Sequence, residues 1–145
     1  MLMKLRYHFL LLSCVFLSAC AEVDEEALLN KTLDDIVVAV ESRSVRKVNR
    51  YLTSSFKTNQ NTGVNNVQHF MVLHFRSSSV IHIFTSERQL AIKNEYAKVS
   101  FNALVTGSSH WIPERGQRFL VKTEWKKAAQ DWKLDKLDWE KVVDF

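Results

Sequence analysis

The chain reads as an α+β fold in which N-terminal helices pack against a curved antiparallel sheet. Three observations predict it. Apolar residues recur with a helical period between Leu29 and Phe75, with a period of two from Val80 onward, and with a one-residue shift of face in the last strand. At 145 residues with only 3 Gly and 1 Pro, the chain has the length for one domain with a sizeable core and the composition of a globular protein.

Asp24, Glu25 and Glu26 place negative charge where a helix N-terminus favours it, so the first helix is expected to begin there. Leu29, Leu33, Ile36, Val37 and Val40 follow the i, i+4, i+7, i+8, i+11 spacing of one buried face. Ser42-Arg43-Ser44 interrupts that face, and Ser44 is placed to cap a second short helix lined by Val45, Val48 and Leu52. Residues 53 to 66, rich in Thr, Ser and Asn and containing Gly63, read as a loop, with Asn66 as the N-cap of a third helix. Val67, Phe70, Met71, His74 and Phe75 supply its apolar face.

From Val80 to Thr85 and from Gln89 to Lys93 the pattern is strand-like, and Asn94-Glu95 turns the chain into the alternation Ala97, Val99, Phe101, Ala103, Val105. Thr106 to Gly116 reads as a long hairpin loop carrying His110, Trp111 and Pro113. Beyond it Phe119, Val121, Thr123 and Trp125 alternate with polar partners, and Lys127 to Asp131 makes a short turn. Trp132 and Leu134 occupy even positions, Leu137 and Trp139 odd ones, a shift that predicts a bulge curving the final strand. Leu33, Ile36, Phe70, Phe101 and Trp132 are expected to be buried in a core between three helices and four or five strands.

The first 19 residues follow a different logic. Lys4 and Arg6 precede an apolar run from Phe9 to Leu17, about half the roughly 20 residues that a membrane-spanning helix needs. That is the size of a signal-peptide core. The run ends in Leu17-Ser18-Ala19-Cys20, which resembles the lipobox of bacterial lipoproteins, a branched apolar residue and two small ones before a cysteine. The resemblance implies cleavage between Ala19 and Cys20 and lipidation of the Cys20 thiol. A plain signal peptide with a cysteine at its cleavage site is the alternative. Two or three acyl chains, each buried methylene contributing about 0.8 kcal/mol, make a stable anchor where one chain binds reversibly. The expected layout is a removed signal peptide over 1–19, a lipidated tether over 20–25 and a single α+β domain over 26–145. Similarity to enterobacterial lipoproteins further implies an outer-membrane location facing the periplasm, because Ala21 rather than Asp follows the cysteine.

With Cys14 leaving in the signal peptide and Cys20 taken by lipid, the mature chain has no thiol for a disulfide, a nucleophile or a metal. Removing Lys4 and Arg6 from 20 basic residues leaves 18 against 16 acidic, a formal charge of +2. No Lys/Arg stripe with interleaved aromatics suggests nucleic acid.

The order of helices followed by a strand meander with a Trp-containing closing hairpin resembles the nuclear transport factor 2-like, or cystatin-like, cone. The resemblance spans about residues 26 to 140 and is carried by Val48-Asn49-Arg50-Tyr51-Leu52, by Lys93-Asn94-Glu95-Tyr96-Ala97 and by Asp131-Trp132-Lys133-Leu134. It implies a curved sheet wrapped around the helices and a cone-shaped apolar cavity. Ketosteroid isomerases, scytalone dehydratases, polyketide cyclases and non-catalytic binding domains share that fold, and many form homodimers through the sheet.

His74 and His82 are the pocket candidates for acid/base work, each weighed against an ordinary hydrogen-bonded histidine. The two offer no set of three or four ligands with metal spacing, and no cofactor motif is present. The isomerases of this fold use an aspartate base, but Asp131, Asp135 and Asp138 lie near a turn or among lysines. Trp125 and Trp132, with Trp139, are candidates for an aromatic ligand wall or for cross-strand packing. His110 and Trp111 are candidate contacts for an envelope protein partner. The expected function is a non-catalytic binding or accessory domain for a protein partner or a small apolar ligand. The alternative is a small isomerase-, cyclase- or hydrolase-like enzyme using a pocket histidine.

Overall fold

A carboxylate cap sets the first helix. In the computed structural model, which describes residues 23–77, 80–108 and 116–142, the Asp24 side chain accepts hydrogen bonds from the Glu26 and Ala27 N–H groups at 3.1 Å each and starts α1 (Glu25–Glu41). The helix closes in a Schellman pattern. Ser44 N–H donates to the Ala39 carbonyl at 3.2 Å and Arg43 N–H to the Val40 carbonyl at 2.9 Å, with Arg43 in the left-handed region at φ 54°. Ser44 then caps α2 (Val45–Asn49) through Lys47 N–H. There follow β1 (Leu52–Thr58), α3 (Val64–Ser77), β2 (Val80–Lys93), β3 (Tyr96–Ser108), β4 (Gln117–Ala128) and β5 (Asp131–Lys141).

The five strands form one sheet in the order β1-β5-β4-β3-β2. Strands β2 to β5 make the antiparallel meander that the period of two predicts. At the far edge β1 runs parallel to β5, so the sheet is mixed rather than wholly antiparallel. All of this strand but Leu52 lies inside the segment expected to be a loop, and Leu52, expected on the face of the second helix, is its first residue because that helix ends at Asn49. The strand's local signal is slight, Phe56 and Thr58 being its two buried residues at 2% and 5% exposure. The neighbouring strand makes it regular. Leu52 pairs with Leu134, the next pair is Lys57 with Lys136, and across the gap the Asp135 carboxylate accepts bonds from Thr53 Oγ1 and Ser55 Oγ at 2.6 Å each.

Asp135 is itself the bulge. Glu124 stands opposite Lys136 and Trp125 opposite Leu134, which leaves Asp135 as the extra residue of β5. Trp132, Leu134, Leu137 and Trp139 thereby all face inward despite their change of parity. The two strand segments expected at 80–85 and 89–93 are one strand, joined through an irregularity between Ser86 and Gln89 where Glu87 takes φ 55°. The third helix begins at Val64, two residues before the expected cap, Asn66.

Leu29 and Leu33 of α1 pack on Phe56, Phe101, Trp125, Trp132 and Leu134 to form the main core. A second cluster, Ala39, Val48 and Met71, joins α1, α2 and α3. Leu33, Phe101 and Trp132 are buried as expected, but Ile36 is half-buried and Phe70 is 58% exposed. The reason is a narrower contact stripe on α3. Met71 with Val67 and Phe75 makes the packing, and Phe70 falls one position to the side.

Polar ties hold α1 to the sheet along its length. At its start, Glu25 Oε2 accepts from the indole N–H of Trp132 at 3.0 Å, and its other oxygen pairs with Lys127. Midway, Arg88 of β2 donates to Asp34 at 2.5 Å and to Asn30 at 3.3 Å. At its end, Glu41 accepts from the backbone N–H of Ile83 at 2.8 Å, covering a donor of the edge strand β2.

Candidate functional site

Between the second half of α1 and the concave face of the sheet lies an apolar cavity of about 410 Å³, within the range of ligand pockets. Helix α1 contributes Leu33, Ile36, Val37 and Val40, and α3 contributes Phe70. From the strands come Ile81 and Ile83 of β2, Phe101, Ala103 and Val105 of β3, and Phe119 and Val121 of β4. Trp125, Leu134, Leu137 and Trp139 complete the lining. Phe70, exposed yet lining the cavity, stands at its mouth.

Thr123 is the single hydroxyl among the described lining residues, and its hydrogen bonds are already committed. Its Oγ1 donates to the Val99 carbonyl at 3.0 Å and accepts from the Trp125 indole N–H at 2.8 Å. A guest in this cavity therefore meets hydrocarbon and aromatic faces, with no protein donor or acceptor turned toward it. Such a wall stabilises an apolar guest by removing its surface from water, about 25 cal/mol per Å².

The sequence candidates fall on both sides of this wall. Trp125 lines the cavity and is 1% exposed. Trp132 is equally buried but sits outside the lining, held by Glu25 and with Lys127 Nζ 5.8 Å from its ring. His74 is exposed on α3, its ring 4.1 Å from that of Phe70. His82 belongs to the outward face of β2 with Val80 and Phe84, and its Nδ1 lies 4.0 Å from Glu41. Neither histidine lines the cavity. Ala19, Cys20, His110 and Trp111 lie outside the described residues. Among the described residues no three His, Cys, Asp or Glu side chains converge as for a metal ion, and no helix is long and apolar enough to cross a membrane.

Trp139, a candidate for the aromatic wall, does line the cavity, whereas Ile81, Ile83, Val105 and Phe119 are cavity residues that no side-chain chemistry singled out. Their signal was the period-two alternation itself, which marks inward positions without saying which of them face a void.

On the outer side of β5 the Asp135 carboxylate is the one acid with a resolved shift among the described residues. Burial acts to raise it, but bonds from Lys126 at 2.8 Å and from Ser55 and Thr53 outweigh burial and hold the carboxyl below its ordinary value. This group staples β1, β5 and β4 together, away from the cavity.

No protein-family model matches the sequence, and no curated protein matches it. Solved structures do resemble it. A protein of the NTF2-like family from Streptomyces avermitilis, described as a candidate dehydratase, superposes with a TM-score of 0.71 at 12% identity, over 81% of this chain and 96% of that one. A protein of unknown function with a cystatin-like fold from Nostoc punctiforme gives 0.69 at 10% identity, over 83% and 93%. Bd1075 of Bdellovibrio bacteriovorus gives 0.70 at 12% identity over 79% of this chain, which spans only 40% of that longer protein. At these identities the likeness is one of architecture: the chain has the α+β fold of NTF2-like and cystatin-like proteins.

Proposed function

We propose that the protein is a lipid-anchored envelope lipoprotein whose domain binds a small apolar ligand without transforming it. The observation that carries this is the cavity wall, sixteen apolar residues and one threonine whose hydroxyl is already bonded on both sides. General acid/base catalysis needs a titratable group within hydrogen-bond reach of substrate. Among the described lining residues there is none, which weighs against an enzyme of the dehydratase kind. The anchor follows from Leu17-Ser18-Ala19-Cys20, with acyl chains on Cys20.

Ligand binding is tested with a fluorescent apolar probe and an Ala103→Leu variant. Ala103 is 5% exposed and lines the cavity, so the larger side chain fills void rather than displacing neighbours. Probe affinity should fall at least about tenfold, the equivalent of 1.4 kcal/mol, while the melting temperature holds or rises. Unchanged affinity would show that the probe binds elsewhere and would remove the main support for this function. The anchor is tested by palmitate labelling, which Cys20→Ser should abolish; labelling equal to wild type would refute it.

A further inference from the structure

The formal charge of +2 that residues 20–145 carry conceals an uneven distribution. From Ser42 to Ser86 there is not one Asp or Glu, while Arg43, Arg46, Lys47, Arg50, Lys57 and Arg76 supply six cations and His69, His74 and His82 three more basic groups. This stretch builds α2, β1, α3 and the start of β2. Its α3 carries two exposed large apolar side chains one turn apart, Phe70 at 58% and Leu73 at 54%. Phe70 borders the cavity, and exposed His69 and Arg76 flank the pair.

The placement of this surface along α1 gives it a direction. The cavity draws on residues 33 to 40 of α1, and α3 packs at the level of Ala39. Glu25, where any tether from Cys20 must enter, is fixed at the opposite end against Lys127 and Trp132. At 1.5 Å per residue, the 14 steps from Glu25 to Ala39 separate the two levels by about 21 Å.

We infer that α3 and the cavity mouth form a docking surface for an anionic lipid bilayer other than the one that holds the anchor. Cations on an acid-free stretch attract anionic headgroups. Phe70 and Leu73 enter the headgroup boundary as the apolar face of an interfacial helix does. The cavity mouth is then presented to acyl chains. The docking rests on the proposed anchor at Cys20 for its direction and on the apolar-ligand function only for its purpose; its charge stands without either.

The test uses the full lipidated protein reconstituted in phosphatidylcholine donor vesicles, scored for capture of protein-free acceptor vesicles. Acceptors containing phosphatidylglycerol should be captured at least about tenfold better than phosphatidylcholine acceptors, and the difference should shrink as salt rises. Reversing one cation in Arg46→Glu should lower capture about tenfold. Leu73→Asp should lower it by a similar factor. Leu73 lies outside the cavity lining, so probe binding should persist in that variant and report that it is folded.

Equal capture of both acceptors would overturn the inference. So would capture of phosphatidylglycerol that is insensitive to Leu73→Asp, which marks a site for a soluble polyanion such as an acidic protein. Clustering of donor vesicles with one another, without acceptors, would assign the surface to a second copy of this chain and equally overturn it. If the apolar probe fails to bind while anionic capture persists, the ligand function falls and the docking surface stands. Probe binding with no anionic capture gives the reverse.

Discussion

Glu25→Ala probes the junction on which the position of α1 depends. Trp132 is 1% exposed, and its indole N–H donates to Glu25 Oε2 at 3.0 Å. Removing the carboxylate leaves a buried donor without its acceptor, which costs about 1–3 kcal/mol. It also deletes the pair with Lys127, whose side chains are 33% and 18% exposed for Glu25 and Lys127, worth about 0.2–1 kcal/mol. A negative charge at the first turn of the helix adds about 0.3–1 kcal/mol. The sum is about 1.5–5 kcal/mol, or a fall in melting temperature of about 5–20 °C for a domain of this size. Urea denaturation followed by tryptophan fluorescence and circular dichroism measures it. Glu25→Gln keeps an acceptor oxygen and should cost about half as much. Repeating Glu25→Ala in a Trp132→Phe background, where no indole N–H is orphaned, should cost at least about 1 kcal/mol less. A Glu25→Ala loss below about 0.5 kcal/mol, or an undiminished loss in the Trp132→Phe background, would refute the assignment of this contact as the fastening of α1.

Three further outcomes are expected. Asp135 is held below its ordinary value of 3.8, so its contribution is complete above that value and is lost as the pH falls through the lower folded one; Asp135→Asn should be less stable than wild type at pH 7, with the gap closing below about pH 4 in acid titrations of stability. Ala129, at φ 56° in the β4–β5 turn, sits where a Cβ costs about 1–2 kcal/mol, and Ala129→Gly should stabilise by about 0.5–1 kcal/mol after the greater freedom of the unfolded glycine is counted; a lower melting temperature would contradict this. His82, with a side chain 59% exposed, should tolerate substitution by Gln within about 0.5 kcal/mol, and a larger loss in denaturant would show that its proximity to Glu41 matters to the fold.

Where one face of an element is buried along its whole length, the sequence was a sufficient guide. The spacing of Leu29, Leu33, Ile36 and Val40 marks α1, and the alternation through Val99, Phe101 and Ala103 marks β3. The change of parity between Leu134 and Leu137 predicted the bulge of β5, and the strand register identifies its extra residue as Asp135. Strand β1 was hidden because its regularity comes from a neighbour some 80 positions away, as the 2.6 Å bonds from Thr53 and Ser55 to Asp135 illustrate. Phe70 misled because a periodicity marks which side of a helix is apolar, and only packing decides how much of that side is covered. The site followed the same division. Inward positions on the strands were legible one by one, but a void is a property of the gap between elements, and no window of sequence contains it. His74 and His82 drew notice for their chemistry, and the structure turns both away from the cavity wall.

The bulge at Asp135 acts on β5 much as a single-letter insertion acts on a reading frame. Upstream of it the inward phase is even and downstream it is odd, so the strand is two correctly phased halves spliced by one residue. Insertions and deletions are thus unequal along the strand: loss of Asp135 alone would leave Leu134, Lys136 and Leu137 in plain alternation with Leu137 and Trp139 still inward, loss of Lys136 as well would turn both out of the cavity, and a change of length beyond Lys141 leaves the phase intact. The inward phase of the cavity wall is therefore kept with or without that one position, while the bend of β5 and its tie to β1 and β4 depend on it, so a homologue that kept every lining side chain but dropped Asp135 would present the same wall on a straighter strand.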